Sequence, residues 1–312
     1  MSTTRVSRRQ SAAKPRTRIA SAASALRRVH DFFGGSWSVL IALAWLVVVI
    51  VVGVLAPLVA PMDPNAQDLS NRLRPPLTDG HLLGTDVLGR DVLSRLIYGT
   101  RVSLVVGFTA VALSAVLGVA IGLVSGYLGG VVDTVFMRIV DAWLAFPFLL
   151  LAIAIVAMLG PGLDNIVLAL VITGWVVYAR LVRGETLSLR EREFVLSARG
   201  LGVSRPMIMI QHVLPNVLAP VVVVATLELG VVIVTEASLS FLGLGAGTAT
   251  PSWGGMLADG RAYITVAWWL ATLPGLAIFL LVLAVNVLGD GLRDALDPRS
   301  QRRMLRLAEG FE

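Results

Sequence analysis

Six stretches of this chain run almost free of charge for long enough to cross a bilayer, whose ~30 Å hydrocarbon core needs about 20 apolar residues. They are 38–60, 102–132 (the crossing itself over 102–125), 142–163, 165–179, 213–242 and 262–289. The fourth is short, and Arg180 and Arg183 extend it to residue 183 by snorkelling. Glu228 and Glu236 interrupt the fifth. Pro274 and Gly275 predict a local bend in the sixth. The pattern predicts an all-α integral membrane protein with six transmembrane helices. Ala110, Ser114, Gly118, Gly122 and Gly126 recur every fourth residue in the second stretch, a strip of small side chains against which another helix can pack closely.

Arginine and lysine orient the bundle. With the N-terminus inside, 20 of the 26 basic residues face the cytoplasm and six face outward. Both termini are therefore expected in the cytoplasm. The boundaries read as a basic tail over 1–36, a first helix plus extracytoplasmic segment over 37–99, a five-helix core over 100–297 with a cytoplasmic loop at 184–215, and a C-terminal tail over 298–312.

Composition agrees: 56% of the residues are hydrophobic and 15% charged, against ~25% charged in soluble domains. The net charge of +6 changes the picture only until it is located. Residues 1–30 hold eight basic groups and no acid, whereas the other 282 hold 18 basic and 20 acidic groups. Such an arm is attracted to anionic membrane lipid. No aromatic residue interleaves its basic ones, so nucleic acid is not an expected partner. The 37 residues before the first apolar stretch, and its length of 23, suit an anchor rather than a cleaved signal. An Arg- and Ser-rich arm poor in acids is also compatible with an organellar transit peptide.

Enzyme chemistry is opposed by the inventory. There is no cysteine. The only lysine, Lys14, precedes Pro15 and lacks the glycine-rich lead of a phosphate-binding loop. His30, His81 and His212 are too far apart for a helical metal pair, and no G-x-S-x-G elbow occurs. No cofactor is expected in this chain, and any ATP and Mg must be bound by partner subunits.

Residues 81–99 read H-L-L-G-T-D-V-L-G-R-D-V-L-S-R-L-I-Y-G. Gly84 can make a tight turn and Thr85 can cap a helix. Leu88, Val92, Leu93, Leu96 and Ile97 then share a face. Asp86–Arg90 and Asp91–Arg95 are i,i+4 pairs, each worth ~0.2–0.5 kcal/mol on a helix. This predicts an amphipathic helix lying on the outer surface, with Gly84, Thr85, Asp86, Gly89, Arg90 and Asp91 as its motif.

Residues 193–216 read E-F-V-L-S-A-R-G-L-G-V-S-R-P-M-I-M-I-Q-H-V-L-P-N. Phe194, Ala198 and Leu201 line one face of a short helix beginning at Glu193, with Arg199 beside them. Gly202 can end it in a left-handed conformation. Ser204 can cap the next helix, with Arg205 and Pro206 in its first turn. Pro215, after Leu214, removes an intrahelical hydrogen bond and predicts a kink at the entrance to the fifth crossing. The result is a helix–glycine–helix knob that a partner's groove can grip.

This loop resembles the coupling motif of ATP-binding-cassette importer permeases, E-A-A, three residues, G, nine residues, I-x-L-P. Aligned on Gly202, the E-A-A positions are Leu196, Ser197 and Ala198, and the end is His212-Val213-Leu214-Pro215. Ala198, Gly202, Leu214 and Pro215 fit; the Glu, the first Ala and the Ile are absent, although Glu193 lies one turn earlier. The G-T-D-x-x-G-R-D-x-x-S-R segment, E-A-S-L-S-F-L-G-L-G at 236–245, P-S-W-G-G at 251–255 and G-D-G-L-R-D-A-L-D-P at 289–298 resemble the dipeptide/oligopeptide/nickel branch, in its "C" member. The resemblance covers roughly residues 38–300. It implies a type I importer permease fold and a bacterial inner-membrane location. It also implies a second homologous permease, two ATPase subunits and an extracytoplasmic solute-binding protein as partners.

A charge at the bilayer centre costs at least ~2.5–3.5 kcal/mol, so Glu228 and Glu236 should each face protein or water. Eight helical residues separate them by ~12 Å along the axis and ~80° around it, so they do not share a face. Either can line a translocation path, where Glu228 would attract a peptide's amino end or a cation. Either can instead tie helices together, the reading favoured for Glu236. The function expected is therefore the permease of a dipeptide or oligopeptide importer, with nickel or glutathione as alternative cargo. An ion-coupled secondary transporter or channel is the competing class.

Overall fold

The computed structural model describes residues 36–78, 80–247 and 249–296. The basic tail, apart from residue 36, and the C-terminal tail lie outside the described residues. Helices dominate: α1 (Trp37–Val54), α2 (Val92–Leu128), α3 (Gly130–Leu144), α4 (Phe148–Leu159), α5 (Leu163–Leu189), α6 (Glu193–Gly200), α7 (Leu214–Phe241), α8 (Trp253–Gly260) and α9 (Trp269–Leu296). Extended pairing among the described residues is limited to the isolated bridges Thr78–His81 and Thr85–Asp91. Five helical segments are long and apolar enough to cross a membrane, and the pair α3–α4 makes a sixth if its two halves count as one span.

That pair departs from expectation. The stretch 142–163 does not form one straight helix: α3 stops at Leu144, α4 starts at Phe148, and the two are bent by 88°. Pro147 supplies the reason, because it has no N–H to continue the ladder. The amide of Ala145 still reaches the carbonyl of Asp141 (3.2 Å), and α4 begins afresh with Leu151 N–H on Pro147 O (3.0 Å).

The amphipathic surface helix is also corrected. Helix starts only at Val92 and continues without interruption to Leu128, 37 residues in all. Its N-cap is Asp91, whose carboxylate accepts from the Ser94 amide (2.8 Å) and hydroxyl (2.7 Å). Thr85 caps nothing. Residues 84–90 form a closed turn, and Val92, Ser94, Arg95 and Ile97 are buried rather than laid on a membrane surface. The last crossing is shifted too, beginning at Trp269 instead of 262 and running to Leu296.

The small-residue strip of α2 packs against α5. A Cβ on Gly118 would meet the Trp175 carbonyl at 2.4 Å, and one on Gly122 the Ala179 carbonyl at 2.5 Å. The backbones lie so close that only glycine fits, the contact that drives helix association where lipid offers no hydrophobic contrast. Around this seam one core joins α2, α5, α7 and α9 through Val106, Leu170, Ile233 and Leu281. A second core, at the C-terminal half of α2, gathers Leu123, Tyr127, Tyr178, Val182 and Val217.

Candidate functional site

The 193–215 segment folds as a short elbow. α6 closes in a Schellman arrangement: Val203 N–H reaches Ala198 O and Gly202 N–H reaches Arg199 O, each at 3.1 Å, with Gly202 at φ +80°. The apolar face is divided, unlike the single stripe expected. Val195 and Ala198 turn inward onto the second core, whereas Phe194 and Leu201 stay exposed together with Met207 and Ile210. Ser204 has the extended backbone of an N-cap, but its side chain makes no capping bond to the turn Arg205–Ile208 that follows. Pro215 acts through a feature that is not a simple kink. A π-helical turn, Met209–Val213, lies immediately before α7, and Leu214 and Pro215 open the helix proper. The wider turn accommodates a proline ring that would otherwise strike the carbonyl one turn back. Two arginines pin the elbow to the end of α2: Arg190 donates to Gly126 O (3.2 Å), and the Arg199 guanidinium sits 5.8 Å from the Tyr127 ring centre.

At the opposite end of α2, residues 84–91 form a buried hub. Gly84 and Gly89 both adopt positive φ, and a Cβ on either would run into backbone, that of Arg74 and Asp68 respectively. Thr85 is fully buried, accepts from the Arg74 amide (2.8 Å) through its hydroxyl, and offers its carbonyl to the Trp269 indole (3.2 Å). Asp86 accepts from the amides of Leu88 (2.8 Å) and Arg90 (2.9 Å) and from Arg90 Nε (2.6 Å). The Asp86–Arg90 pair thus exists, but across a turn. The Asp91–Arg95 pair does not form. Asp91 is engaged by Ser94 and by His81 Nδ1 (3.0 Å), while Arg95 lies against Asp86 (3.6 Å) and Pro64 O (3.4 Å). Asp259 of α8 completes the cluster, 3.6 Å from Arg90. Burial holds its carboxyl above the usual range, against the opposing pull of Arg95 and Arg90.

The two acids of α7 occupy different environments, as their angular separation implied. Glu236 is wholly buried: one carboxyl oxygen accepts from Ser240 (2.8 Å), and Ser103 of α2 lies beside it. Glu228 lines a cavity of about 250 Å³ with Trp143, Phe146 and Phe148 from the α3–α4 break, Thr173 of α5 and Val231 of α7.

Comparison with known proteins decides what this arrangement belongs to. Residues 118–302 match the family "Binding-protein-dependent transport system inner membrane component", and residues 33–76 match "N-terminal TM domain of oligopeptide transport permease C". The chain is 47% identical over 250 residues to the dipeptide transport system permease protein DppC of Alkalihalophilus pseudofirmus, covering 80% of this chain and 82% of that one. It is 44% identical to DppC of Haemophilus influenzae, covering 88% and 95%. It is 47% identical to the glutathione transport system permease protein GsiD of Pectobacterium atrosepticum, covering 73% and 76%. The chain belongs to the binding-protein-dependent inner-membrane permease family. It is a multi-pass ABC transporter permease.

In this permease the motif residues fall into two groups at the two ends of α2. Glu193, Phe194, Ala198, Arg199, Leu201, Gly202, Ser204, Arg205, Leu214 and Pro215 share the elbow; Gly84, Thr85, Asp86, Gly89, Arg90 and Asp91 share the hub. Sequence reasoning missed the partners that seat them. Arg183 makes a two-point bond to Asp133 (2.6 and 2.7 Å), and Arg180 meets Asp141 (2.9 Å), so two arginines assigned to snorkelling instead clamp α3 to α5. Pro147 was a visible signal for the helix break; nothing local marked Asp259 or Tyr127 as neighbours of the motifs.

Proposed function

We propose that this permease is half of the translocation path of an ATP-driven importer for dipeptides or short oligopeptides. A second homologous permease supplies the other half, and an extracytoplasmic binding protein delivers cargo to the end that carries the 84–91 hub. Two ATPase subunits dock on the elbow from the cytoplasm, where both termini also lie, and bind the ATP and Mg that this chain has no cradle for. One observation carries the reading: the elbow is fastened to the bundle through Val195, Ala198, Arg190 and Arg199, yet leaves Phe194, Leu201, Met207 and Ile210 uncovered. A rigid base with an exposed apolar tip is what a groove on a moving partner needs in order to pull helices. The cargo class follows the names of relatives that are dipeptide and di/tripeptide permeases.

The test is uptake into proteoliposomes holding the whole complex. Dipeptide uptake should require hydrolysis-competent ATPase subunits and persist when an uncoupler collapses the ion gradient. Uptake that the uncoupler abolishes and ATPase inactivation spares would establish ion coupling instead. Preference for glutathione or a nickel complex over dipeptides would reassign the cargo.

A further inference from the structure

We infer that the cavity at the α3–α4 break is a recognition pocket for the free amino-terminal residue of the peptide, its ammonium held by Glu228 and its side chain by the aromatic wall. The inference rests on the import reading above and narrows it to one pocket and one end of the cargo.

Three observations converge. First, Glu228 has neither a hydrogen bond nor an ion pair among the described residues, and no cation lines its cavity. The nearby arginines of α5 are already engaged, Arg180 by Asp141 and Arg183 by Asp133. An acid at membrane depth that faces a cavity and has no partner in its own chain is a candidate site for a cation from outside it. Second, Trp143, Phe146 and Phe148 line the same cavity as that carboxylate, a combination suited to an ammonium carried on an apolar group. Trp143 is fixed, its indole donating to Ile172 O (2.8 Å) and its ring lying 6.4 Å from Trp175. Third, the cavity wall is made at the helix break, where Phe146 and Phe148 flank Pro147. Irregular backbone at membrane depth is tolerated where it is buried in protein or lines a wet cavity; the first amides of α4 are donors, suited to a carbonyl oxygen of the cargo and not to its ammonium.

Size sets the limit. About 250 Å³ falls below the ~300–1,000 Å³ of pockets that enclose drug-sized ligands. The pocket therefore takes one residue, not a whole peptide, and leaves the rest of the cargo to the remainder of the path. Such a site reads a positive end and is indifferent to the sequence beyond it.

The experiment measures equilibrium binding of phenylalanine amide and N-acetyl-phenylalanine amide to the purified complex in nanodiscs without the binding protein. The two probes share side chain and amide, and differ in the ammonium. The wild type should bind the free amine at least about tenfold more tightly, and Glu228→Gln should erase the difference. Phe146→Ala, at an exposed position, should weaken both probes while preserving their ratio. Equal binding of the two probes by the wild type, or undiminished discrimination by Glu228→Gln, overturns the inference. Should Glu228→Gln fail to assemble, unchanged binding by Phe146→Ala does so instead. ATP-dependent dipeptide uptake by the same wild-type preparation tests the import reading separately: uptake without probe discrimination removes the pocket's role and leaves import standing.

Discussion

The amide of Val203 closes on the carbonyl of Ala198 at 3.1 Å, and the residue between the two helices, Gly202, sits at φ +80° to let it. A Cβ there would touch nothing within 4 Å, so conformation alone selects glycine. Gly202→Val should cost about 1–2 kcal/mol of backbone strain and turn the exposed Phe194–Leu201 tip away from its partner. The expected outcome is weaker co-purification of the ATPase, or ATP hydrolysis no longer stimulated by cargo. A variant with normal docking and normal stimulated hydrolysis would remove the elbow from coupling.

Pro215→Ala approaches the same joint from the membrane side. Without the ring, the π turn Met209–Val213 can relax to α-helical pairing and rotate the elbow relative to α7. Transported dipeptide per ATP should fall while the complex stays intact by size-exclusion chromatography. Hydrogen exchange across 209–215 reports whether the turn has tightened.

Gly122→Leu tests the α2–α5 seam. The first carbon of the new side chain already lies 2.5 Å from the Ala179 carbonyl, and overpacking of a tight core costs typically ~1–3 kcal/mol. Loss of folded permease, or a fall in Tm of several degrees, is expected. Gly184→Leu, where nothing lies within 4 Å of a Cβ, serves as the control and should leave Tm unchanged.

Asp86 meets both Arg90 (2.6 Å) and Arg95 (3.6 Å) in the hub. Asp86→Asn removes the short contact to Arg90 and the longer one to Arg95, a change worth ~3–5 kcal/mol when a buried pair is broken. Combining it with Arg90→Met should recover part of that loss. Additive losses in the double variant would show that the two residues do not act as a pair.

Asp259 provides a pH test. Burial raises its carboxyl above the ordinary 3.8, although Arg95 and Arg90 pull the other way. The neutral form is therefore favoured by folding. Its contribution is complete below 3.8 and is lost as pH rises through the higher folded value. Asp259→Asn should flatten this decline, so the difference in Tm between variant and wild type should shift in the variant's favour across that window. A difference independent of pH would mean that the carboxyl is not displaced.

Much of this architecture was legible because hydrophobic periodicity and small-residue spacing report local helix and helix-to-helix contact. The crossings around 102–125 and 213–242 and the close-packing face of α2 are of that kind; that α5 fills that face is not. The hub was misread because Asp86, Arg90, Asp91 and Arg95 have helical spacing whether or not the chain is helical there. Gly84 and Gly89 divert the backbone into a turn that a helical count does not see. The third crossing was misread because apolar character alone extended it through Pro147. In the elbow, Phe194, Ala198 and Leu201 do share a narrow arc, but which edge of that arc turns inward depends on Tyr127 and Val195 packing beneath it. That is tertiary information. The cavity beside Glu228 required four helices to meet and left no local trace.

α2 joins these regions physically. At 37 residues it spans ~55 Å, with a charged knot at one end and the elbow's arginine anchors at the other. It carries no proline to hinge on. Under the coupling proposed above, a push on the elbow would travel along this strut, and the hub around Asp86 would be the far end that feels it.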